Sequence, residues 1–365
     1  MSTSGNVLSA MTEHPSFAPE SCINHRQRRY ACTVCSAVCP KGVFSLNAGE
    51  HMKWDHCIDC GLCVAACPSR CFLPSPSAQR SYSEELDLSG PLTLACREEE
   101  EHCALRVRCL AAVPWELLAL IAMQTELVLY IGHCSSCAHP EWAGCVREQL
   151  ALVREFLGEE RWSRQVHVLT EGRFEAPKAA AKEEQSLTRR EFFSGMKRRM
   201  VKGIYKAASA RLSFLAEDTA DPMQYRRTLA SAVLAEQKRA QEAAEAKERA
   251  PDYGVQVPRF TADCYGCGIC EKLCPQKAIE IGPEKDGKRL IYLTPWKCTG
   301  CSLCMRVCPH GGISGLHSLR VPGLTQLALV RVEGTSCERC GMPIPPGSKP
   351  PLCPACAAKA GRWKR

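Results

Sequence analysis

The sequence predicts an α+β protein in which two cysteine-rich modules flank a small parallel α/β domain and a charged helical linker, followed by a C-terminal cysteine knuckle. Most of the 27 cysteines stand in C-x2-C or C-x3-C-Pro groups, a spacing typical of metal sites. Two cysteine-rich stretches form an internal repeat about 230 residues apart, with alternating strand and helix patterns between them. The expected regions are 20–75 and 258–320 for the modules, 90–170 for the α/β domain, 175–250 for the linker and 335–358 for the knuckle.

Length and composition limit the class of protein. The chain has 365 residues, enough for two or three domains. Disulfide scaffolds are usually short secreted chains. The first residues of this sequence lack the basic region followed by an apolar region that marks a secretory signal. The most apolar stretch, 117–123, is too short to span a bilayer. We therefore expect a protein of the reducing cytoplasm without a transmembrane segment.

The second cysteine-rich module carries two complete C-x2-C-x2-C-x3-C-Pro motifs. A tight loop wraps three thiolates around one iron–sulfur cluster, and the fourth cysteine reaches across to the other cluster. The predicted ligand sets are Cys264, Cys267, Cys270 with Cys308, and Cys298, Cys301, Cys304 with Cys274. Between the motifs, strands at 278–281 and 289–293 flank a Lys-Asp-Gly turn and predict a hairpin.

With two full motifs and both prolines, Pro275 and Pro309, this module resembles the bacterial dicluster ferredoxin fold. The resemblance implies two [4Fe-4S] clusters. Zinc bound by the same thiols is the alternative. Irons that are fully ligated by protein have no open position for a substrate, so we expect conduction of electrons rather than catalysis.

The first cysteine-rich module is a second ferredoxin-like dicluster module with one departure. Residues 57–68 give a complete motif, but the preceding motif has Arg29 at its first position, and Cys22, seven residues earlier, is the nearest replacement. The predicted ligand sets are Cys22, Cys32, Cys35 with Cys67, and Cys57, Cys60, Cys63 with Cys39. The alternatives are a [3Fe-4S] cluster with three ligands, Cys71 or His25 in place of Cys22, or no cluster there.

The α/β domain carries cysteines where its predicted strands end. Strands are predicted at 92–96, 105–109, 127–131 and 166–169, with helices at 114–123 and 142–157. Cys96 and Cys109 end two strands, and Cys134 and Cys137 follow the third. Because the carboxyl ends of strands in open α/β sheets form the binding crevice, the four thiols are expected to converge.

A cysteine after a strand, then Gly132-His-Cys134 and Cys137, resembles the delta subunit of methyl-viologen-reducing hydrogenases. That resemblance implies a [2Fe-2S] cluster that passes electrons. A zinc site is one alternative, and small buried cysteines together with free thiols are another. Cys103 and Cys145 are left unassigned.

The surplus of positive charge behind the net charge of +8 is concentrated in one segment. Residues 178–211 carry ten Lys or Arg and three Asp or Glu, a surplus of +7. Four oxidised [4Fe-4S] clusters with their thiolates would contribute about −8, so the loaded protein is near neutrality. Bulk attraction to nucleic acid is therefore not expected.

The linker contains two helical patterns. Residues 187–211 combine an apolar stripe with Lys and Arg, which suits an acidic partner or peripheral contact with an anionic membrane surface. A linker helix packed against one module is the alternative. Residues 226–250 are rich in Ala, Glu, Gln, Lys and Arg and predict an exposed helix leading into the second module.

The knuckle places two thiol pairs on two short turns. The cysteines are Cys337, Cys340, Cys353 and Cys356. Four thiolates in this spacing suit tetrahedral coordination, and the segment resembles a zinc ribbon. Because the core between the turns is so short, structural zinc is favoured over a redox iron.

These features lead to three hypotheses of function. The first is an electron-transfer protein, or a subunit of an oxidoreductase, that relays electrons through about four [4Fe-4S] clusters between a donor and an acceptor protein. The second is a redox enzyme that uses the thiols of the α/β domain, although the sequence offers no base or nucleotide loop for it. The third is a regulatory protein that senses redox state or iron supply.

Overall fold

The chain adopts a mixed helix and sheet structure, as the sequence predicts. The computed structural model describes residues 13–27, 32–44, 52–78, 88, 90–99, 105–139, 142–171, 174, 221–242, 251–283 and 288–362. The basic segment 187–211, Arg29 and Cys103 lie outside the described residues.

The N-terminal cysteine-rich part consists of short elements placed between its cysteines. They are strand β1 (Ser16–Phe17), helices α1 (Ile23–Arg26), α2 (Val34–Val38) and α3 (Leu62–Ala66), and strand β2 (Phe72–Leu73). Strands β1 and β2 pair antiparallel, and the rings of Phe17 and Phe72 lie 5.2 Å apart. With so few long elements, buried cysteines and aromatic rings form much of the local core.

The middle of the chain forms a four-stranded parallel sheet with strand order β4-β3-β5-β6, which confirms the predicted parallel sheet. Its elements are β3 (Leu92–Cys96), β4 (Leu105–Val107), α4 (Trp115–Gln124), β5 (Leu127–Tyr130), α5 (Trp142–Leu157), α6 (Glu159–Gln165) and β6 (Val166–Leu169). Helix α4 is apolar on nearly every side, and Leu117, Leu118, Leu120 and Ile121 are buried. A helix with that pattern belongs in a core rather than at a surface.

Helix α7 (Gln224–Glu242) corrects the prediction of an exposed helix at 226–250. Tyr225, Leu229 and Val233 are buried and recur every four residues, so they form one apolar stripe that packs with α4 in the main core. The polar residues that dominate the composition of this segment lie on the other faces of the helix. The short stripe is therefore what decides the packing.

The C-terminal part contains a ribbon, a three-stranded sheet and the knuckle. Its elements are β7 (Tyr253–Phe260), α8 (Ile269–Leu273), β8 (Ile279–Pro283), β9 (Arg289–Leu293), α9 (Leu303–Arg306), β10 (Ile313–Val321), β11 (Leu327–Val332), β12 (Thr335–Ser336), β13 (Pro343–Ile344) and α10 (Pro354–Arg362). Strands β8 and β9 form the predicted antiparallel hairpin, and β11 adds to β9 as a third strand. Strands β7 and β10 form a separate antiparallel ribbon.

The β7–β10 ribbon packs directly on helix α5 of the middle sheet. A side chain at Gly254 would bring its Cβ within 2.1 Å of the carbonyl oxygen of Glu155, so only glycine allows this approach. The rings of Tyr253 and Phe156 lie 5.0 Å apart next to it. One continuous apolar core consequently runs from the parallel sheet into the C-terminal part.

A buried ion-pair network joins four parts of the chain. Glu116 on α4 is 1% exposed, and its carboxylate lies 2.9 Å from the guanidinium of Arg70 and 3.1 Å from that of Arg226. Burial raises the pKa of Glu116, but the charges of Arg70 and Arg226 outweigh burial and leave the pKa below its usual value. Arg226 also donates to the carbonyl oxygens of Trp296 at 3.0 Å and Cys298 at 2.5 Å. The network thus links the N-terminal part, α4, α7 and the C-terminal part.

Among the described residues, no helix combines the length and the apolar character that a membrane crossing requires.

Replacing Glu116 with Gln should destabilise the protein, because two buried guanidinium groups would lose their counter-charge. Breaking a buried pair costs about 3–5 kcal/mol, which lowers the melting temperature of a chain of this size by about 5–10 °C. Glu159→Gln is the matched control, because Glu159 forms an exposed pair with Arg154. Anaerobic thermal unfolding of both variants measures the effect. Equal melting temperatures for Glu116→Gln and Glu159→Gln would contradict the role of the network.

Candidate metal centres

The three complete cysteine motifs share one loop conformation. In each motif, the residues just before and just after the second cysteine adopt left-handed backbone conformations. These residues are Asp59 and Gly61, Gly266 and Gly268, and Ser302 with Gly300. Two left-handed residues on either side of the second cysteine turn the chain tightly around it, and the third cysteine then lies in α3, α8 or α9.

The two C-terminal motifs exchange their fourth cysteines. The C-outer centre contains Cys264, Cys267, Cys270 and Cys308. The C-inner centre contains Cys274, Cys298, Cys301 and Cys304. Burial and the charges of the other three thiols raise the pKa of Cys270 to about 12 and raise the pKa of Cys304 as well. All four thiols of the C-inner centre line one small cavity.

The N-terminal motifs show the same exchange. The N-inner centre contains Cys22, Cys32, Cys35 and Cys67. The N-outer centre contains Cys39, Cys57, Cys60 and Cys63. Burial and the charges of the other thiols of their sets raise the pKa of Cys35 to about 12 and the pKa of Cys63 well above its usual value. The four thiols of the N-outer centre also line one small cavity.

Asn24 fixes the segment that carries Cys22. Its side-chain amide donates to the carbonyl oxygen of Cys32 at 2.8 Å, and the backbone N–H of Cys32 donates to the Asn24 side-chain oxygen at 2.7 Å. This reciprocal pair holds the segment of Cys22 against the loop of Cys32. The irregular motif differs from the complete ones at Thr33, where φ is −112° instead of left-handed. Sequence reasoning missed Asn24, which no motif marks.

Cys71 adds a fifth thiol to the N-inner centre. Its Sγ lies 3.3 Å from that of Cys67. Hydrogen bonding by Cys71 lowers the pKa of Cys22 and of Cys67 to about 6. Cys71, one of the two alternatives to Cys22, therefore lies at the N-inner centre in addition to Cys22. The ring of His25, the other alternative, lies 5.6 Å from the ring of Phe17.

Backbone N–H groups surround the thiols. Val43 donates to the sulfur of Cys39 at 3.4 Å, and Ala278 donates to the sulfur of Cys274 at 3.3 Å. Such donors stabilise negative charge on the sulfur of a thiolate. The cavity, the four thiols and the backbone N–H donor together fit an anionic iron–sulfur cluster at the N-outer centre and at the C-inner centre.

The four cysteines of the α/β domain converge at the carboxyl edge of the parallel sheet. Burial and the charges of Cys134, Cys96 and Cys137 raise the pKa of Cys109 to about 11. Strands β3 and β6 have the predicted bounds, whereas β4 ends at Val107 and β5 at Tyr130, so Cys109 follows β4 in a loop. We call these four thiols the middle site. Cys145 lies on α5 and belongs to none of the sets.

Thiol spacing separates the knuckle from the other sets. Among the described residues, the knuckle thiols are the one group of metal-binding side chains whose ligand atoms all lie within 4.8 Å of one another. Zn–S bonds of about 2.3 Å place tetrahedral sulfurs about 3.8 Å apart, so this spacing fits a single ion. The other sets are wider, which fits clusters that hold their thiolates apart.

The knuckle is organised by two turns. Cys337 follows strand β12 of a short hairpin. The backbone N–H of Cys337 donates to the carbonyl oxygen of Met342 at 2.7 Å. Cys353 precedes α10, and its sulfur lies 3.6 Å from that of Cys340. Cys337, Cys353 and Cys356 are buried and Cys340 is exposed.

The two modules are in direct contact through residues next to the N-inner and C-inner centres. Arg26 donates to the carbonyl oxygens of Leu273 at 3.3 Å and Lys272 at 3.1 Å. Gln276 donates to the carbonyl oxygen of Ser69 at 2.8 Å. These contacts lie within two residues of Cys67 and Cys274, one ligand candidate from each inner centre. A cavity of about 420 Å³ between the modules is lined by Cys67 and Cys298 among others.

Comparison with known proteins supports one part of this picture. A family model described as a 4Fe-4S dicluster domain matches residues 263–312, the stretch that contains the C-inner and C-outer centres. No curated protein and no solved structure matches the chain. The chain therefore contains a 4Fe-4S dicluster domain, and its many cysteines indicate iron–sulfur electron transfer.

Replacing Asn24 with Ala should weaken the N-inner centre, because the Cys22 segment would lose both hydrogen bonds to Cys32. We expect faster loss of about a quarter of the bound iron on exposure to air, measured as iron per chain over time. Gln326→Ala is the control, since it removes a surface amide that donates to Glu280. Identical rates of iron loss in both variants would argue against this role of Asn24.

Proposed function

We propose that the chain is an electron-transfer protein, or a subunit of an oxidoreductase, that relays electrons through four [4Fe-4S] clusters between a donor and an acceptor protein. The observation that carries the proposal is the grouping of cysteines into four sets of four by the same exchange of fourth cysteines. Two of these sets lie in the matched dicluster domain. A [4Fe-4S] cluster at each centre would take up and release one electron with little structural change.

The contacts between the modules favour one order of the centres: N-outer, N-inner, C-inner, C-outer. The exchange of fourth cysteines couples the two centres within each module. Between modules, Gln276 and Ser69 connect the segment after Cys274 to the segment after Cys67. Burial raises the pKa of Cys32, and the charge of Arg306 on α9 opposes it, so this arginine also lies near the N-inner centre.

The buried ion-pair network adds positive charge at the same junction. Arg70 and Arg226 together outweigh the single charge of Glu116. Arg226 donates to the backbone of Cys298, and Arg70 donates to that of Cys67 at 3.3 Å. A surplus of positive charge beside two clusters stabilises the more negative reduced state of each. Electrons crossing between modules would therefore pass a favourable electrostatic environment.

We further propose that the middle site holds a [2Fe-2S] cluster next to the N-outer centre. Arg108, which precedes Cys109, donates to the carbonyl oxygen of Ile58 at 2.9 Å and lies 3.5 Å from Asp59. Both contacted residues stand between Cys57 and Cys60. The middle site thus extends the relay at its N-outer end. Its wide thiol spacing favours this reading over a zinc ion.

The knuckle is proposed to hold a structural zinc ion beside the C-outer centre. Arg289 donates to the carbonyl oxygen of Gly266 at 3.0 Å and lies 3.4 Å from the hydroxyl of Ser336. Gly266 belongs to the loop of the C-outer centre, and Ser336 precedes Cys337. The knuckle would therefore brace the outermost loop of the relay, where a partner protein would dock. A cytoplasmic location and membrane contact through 187–211 remain predictions.

Thiol chemistry at Cys134 is the less favoured function. Burial and the charges of Cys96 and Cys137 raise the pKa of the Cys134 thiol. A reactive cysteine needs the opposite environment, since the thiolate is the nucleophile. A sensing role would require a labile cluster, and the irregular N-inner centre is the place to look for one.

Metal analysis of the full chain, purified without oxygen, tests the relay. We expect about 16 iron atoms and matching sulfide per chain, or about 18 iron atoms with the middle site filled. EPR spectra of the dithionite-reduced protein should show interacting [4Fe-4S] clusters. Iron near zero with several zinc ions would overturn the relay and leave a zinc-stabilised interaction protein.

The knuckle is tested separately with Cys353→Ser. Loss of one thiolate should remove about one zinc per chain and leave iron unchanged, because the knuckle thiols take part in no other set. Ser348→Ala serves as the control, because it removes a knuckle hydroxyl that donates to the carbonyl oxygen of Pro345 and should change neither metal. A loss of iron instead of zinc from Cys353→Ser would contradict this assignment.

A further inference from the structure

The N-inner centre has a fifth thiol beside its four ligand candidates. Cys71 is 3% exposed, and its Sγ lies 3.3 Å from that of Cys67. A [4Fe-4S] cluster takes four thiolates, which leaves one of the five thiols without an iron.

The position of Cys71 within its motif identifies it as the surplus thiol. In three motifs, the residue four places after the last cysteine donates its backbone N–H to the sulfur of that cysteine. These residues are Val43, Cys71 and Ala278. Val43 and Ala278 have aliphatic side chains that bind no metal. Position 71 is therefore a place beside the cluster, and a thiol stands there where the other two motifs have a methyl or isopropyl group.

We propose that Cys71 is a non-ligand thiol whose S–H group donates a hydrogen bond to the ligating sulfur of Cys67 and thereby raises the reduction potential of the N-inner centre. This inference rests on the relay proposed above. The sulfur of a ligating thiolate carries more negative charge when the cluster is reduced, so a donor stabilises the reduced form. Because Cys71 is buried, water competes little with this bond.

A raised potential at this position has a consequence for the relay. The N-inner centre lies between the N-outer and C-inner centres, so an electron entering from either side would reside there preferentially. Cys71 would then set where the relay holds its first electron. Ser69 also approaches the sulfur of Cys67, at 3.7 Å, so Cys71 makes the shorter of the two side-chain contacts described for that sulfur.

The test compares Cys71→Ala and Cys71→Ser in the full chain with both clusters of the module loaded. Alanine is the residue found at the matching position 278, so the substitution places a known occupant there. EPR-monitored redox titration should show one cluster of Cys71→Ala shifted to lower potential, with iron per chain unchanged. Cys71→Ser retains a hydrogen-bond donor and should lie closer to the wild type. Val43→Ala, the control, should leave the N-inner potential unchanged.

Two results would overturn the inference. Loss of about four iron atoms from Cys71→Ala would make Cys71 a ligand, and unchanged potentials with full iron would show that its hydrogen bond has no effect on the cluster. Neither result would disturb the relay itself. An iron-free wild-type chain, in contrast, would remove the relay and this inference together.

Discussion

Glu116 is buried between Arg70 and Arg226, and the contact between the cysteine-rich modules depends on this ion pair. A charged carboxylate is stable in such a core only when both guanidinium groups stay in place. Arg70 belongs to the segment that follows Cys67, and Arg226 holds the backbone of Cys298. The arginines that neutralise Glu116 therefore also hold the backbone of one ligand candidate from each inner centre.

The parallel sheet serves as the frame on which both modules are mounted. Helix α4 supplies Glu116 to the network, and α5 receives the β7–β10 ribbon through the close approach at Gly254. On the opposite side, Arg108 fastens the loop of the N-outer centre to the carboxyl edge of the sheet. A domain that looks separate in sequence thus contacts both cysteine-rich modules.

Local sequence patterns predicted the secondary structure of this molecule better than they predicted its packing. The parallel sheet and the β8–β9 hairpin follow from apolar runs and a turn, which act over a few residues. The packing of α7 was predicted wrongly, because composition hid a stripe of three apolar residues. The Asn24 clamp and the position of Cys71 depend on loop geometry. Contacts such as Gln276 with Ser69 join residues about 200 positions apart, and no local pattern indicates them.

The exchange of fourth cysteines affects how such a protein matures. Each centre draws its thiols from both motifs of its module, so the first cluster to be inserted orders a ligand of the second. Loading within a module should then be cooperative, with few half-filled molecules. Under iron limitation, the cell would hold a mixture of complete and empty modules instead of a uniform population of half-filled ones. Scarcity would therefore reduce the number of complete modules and leave each remaining module intact.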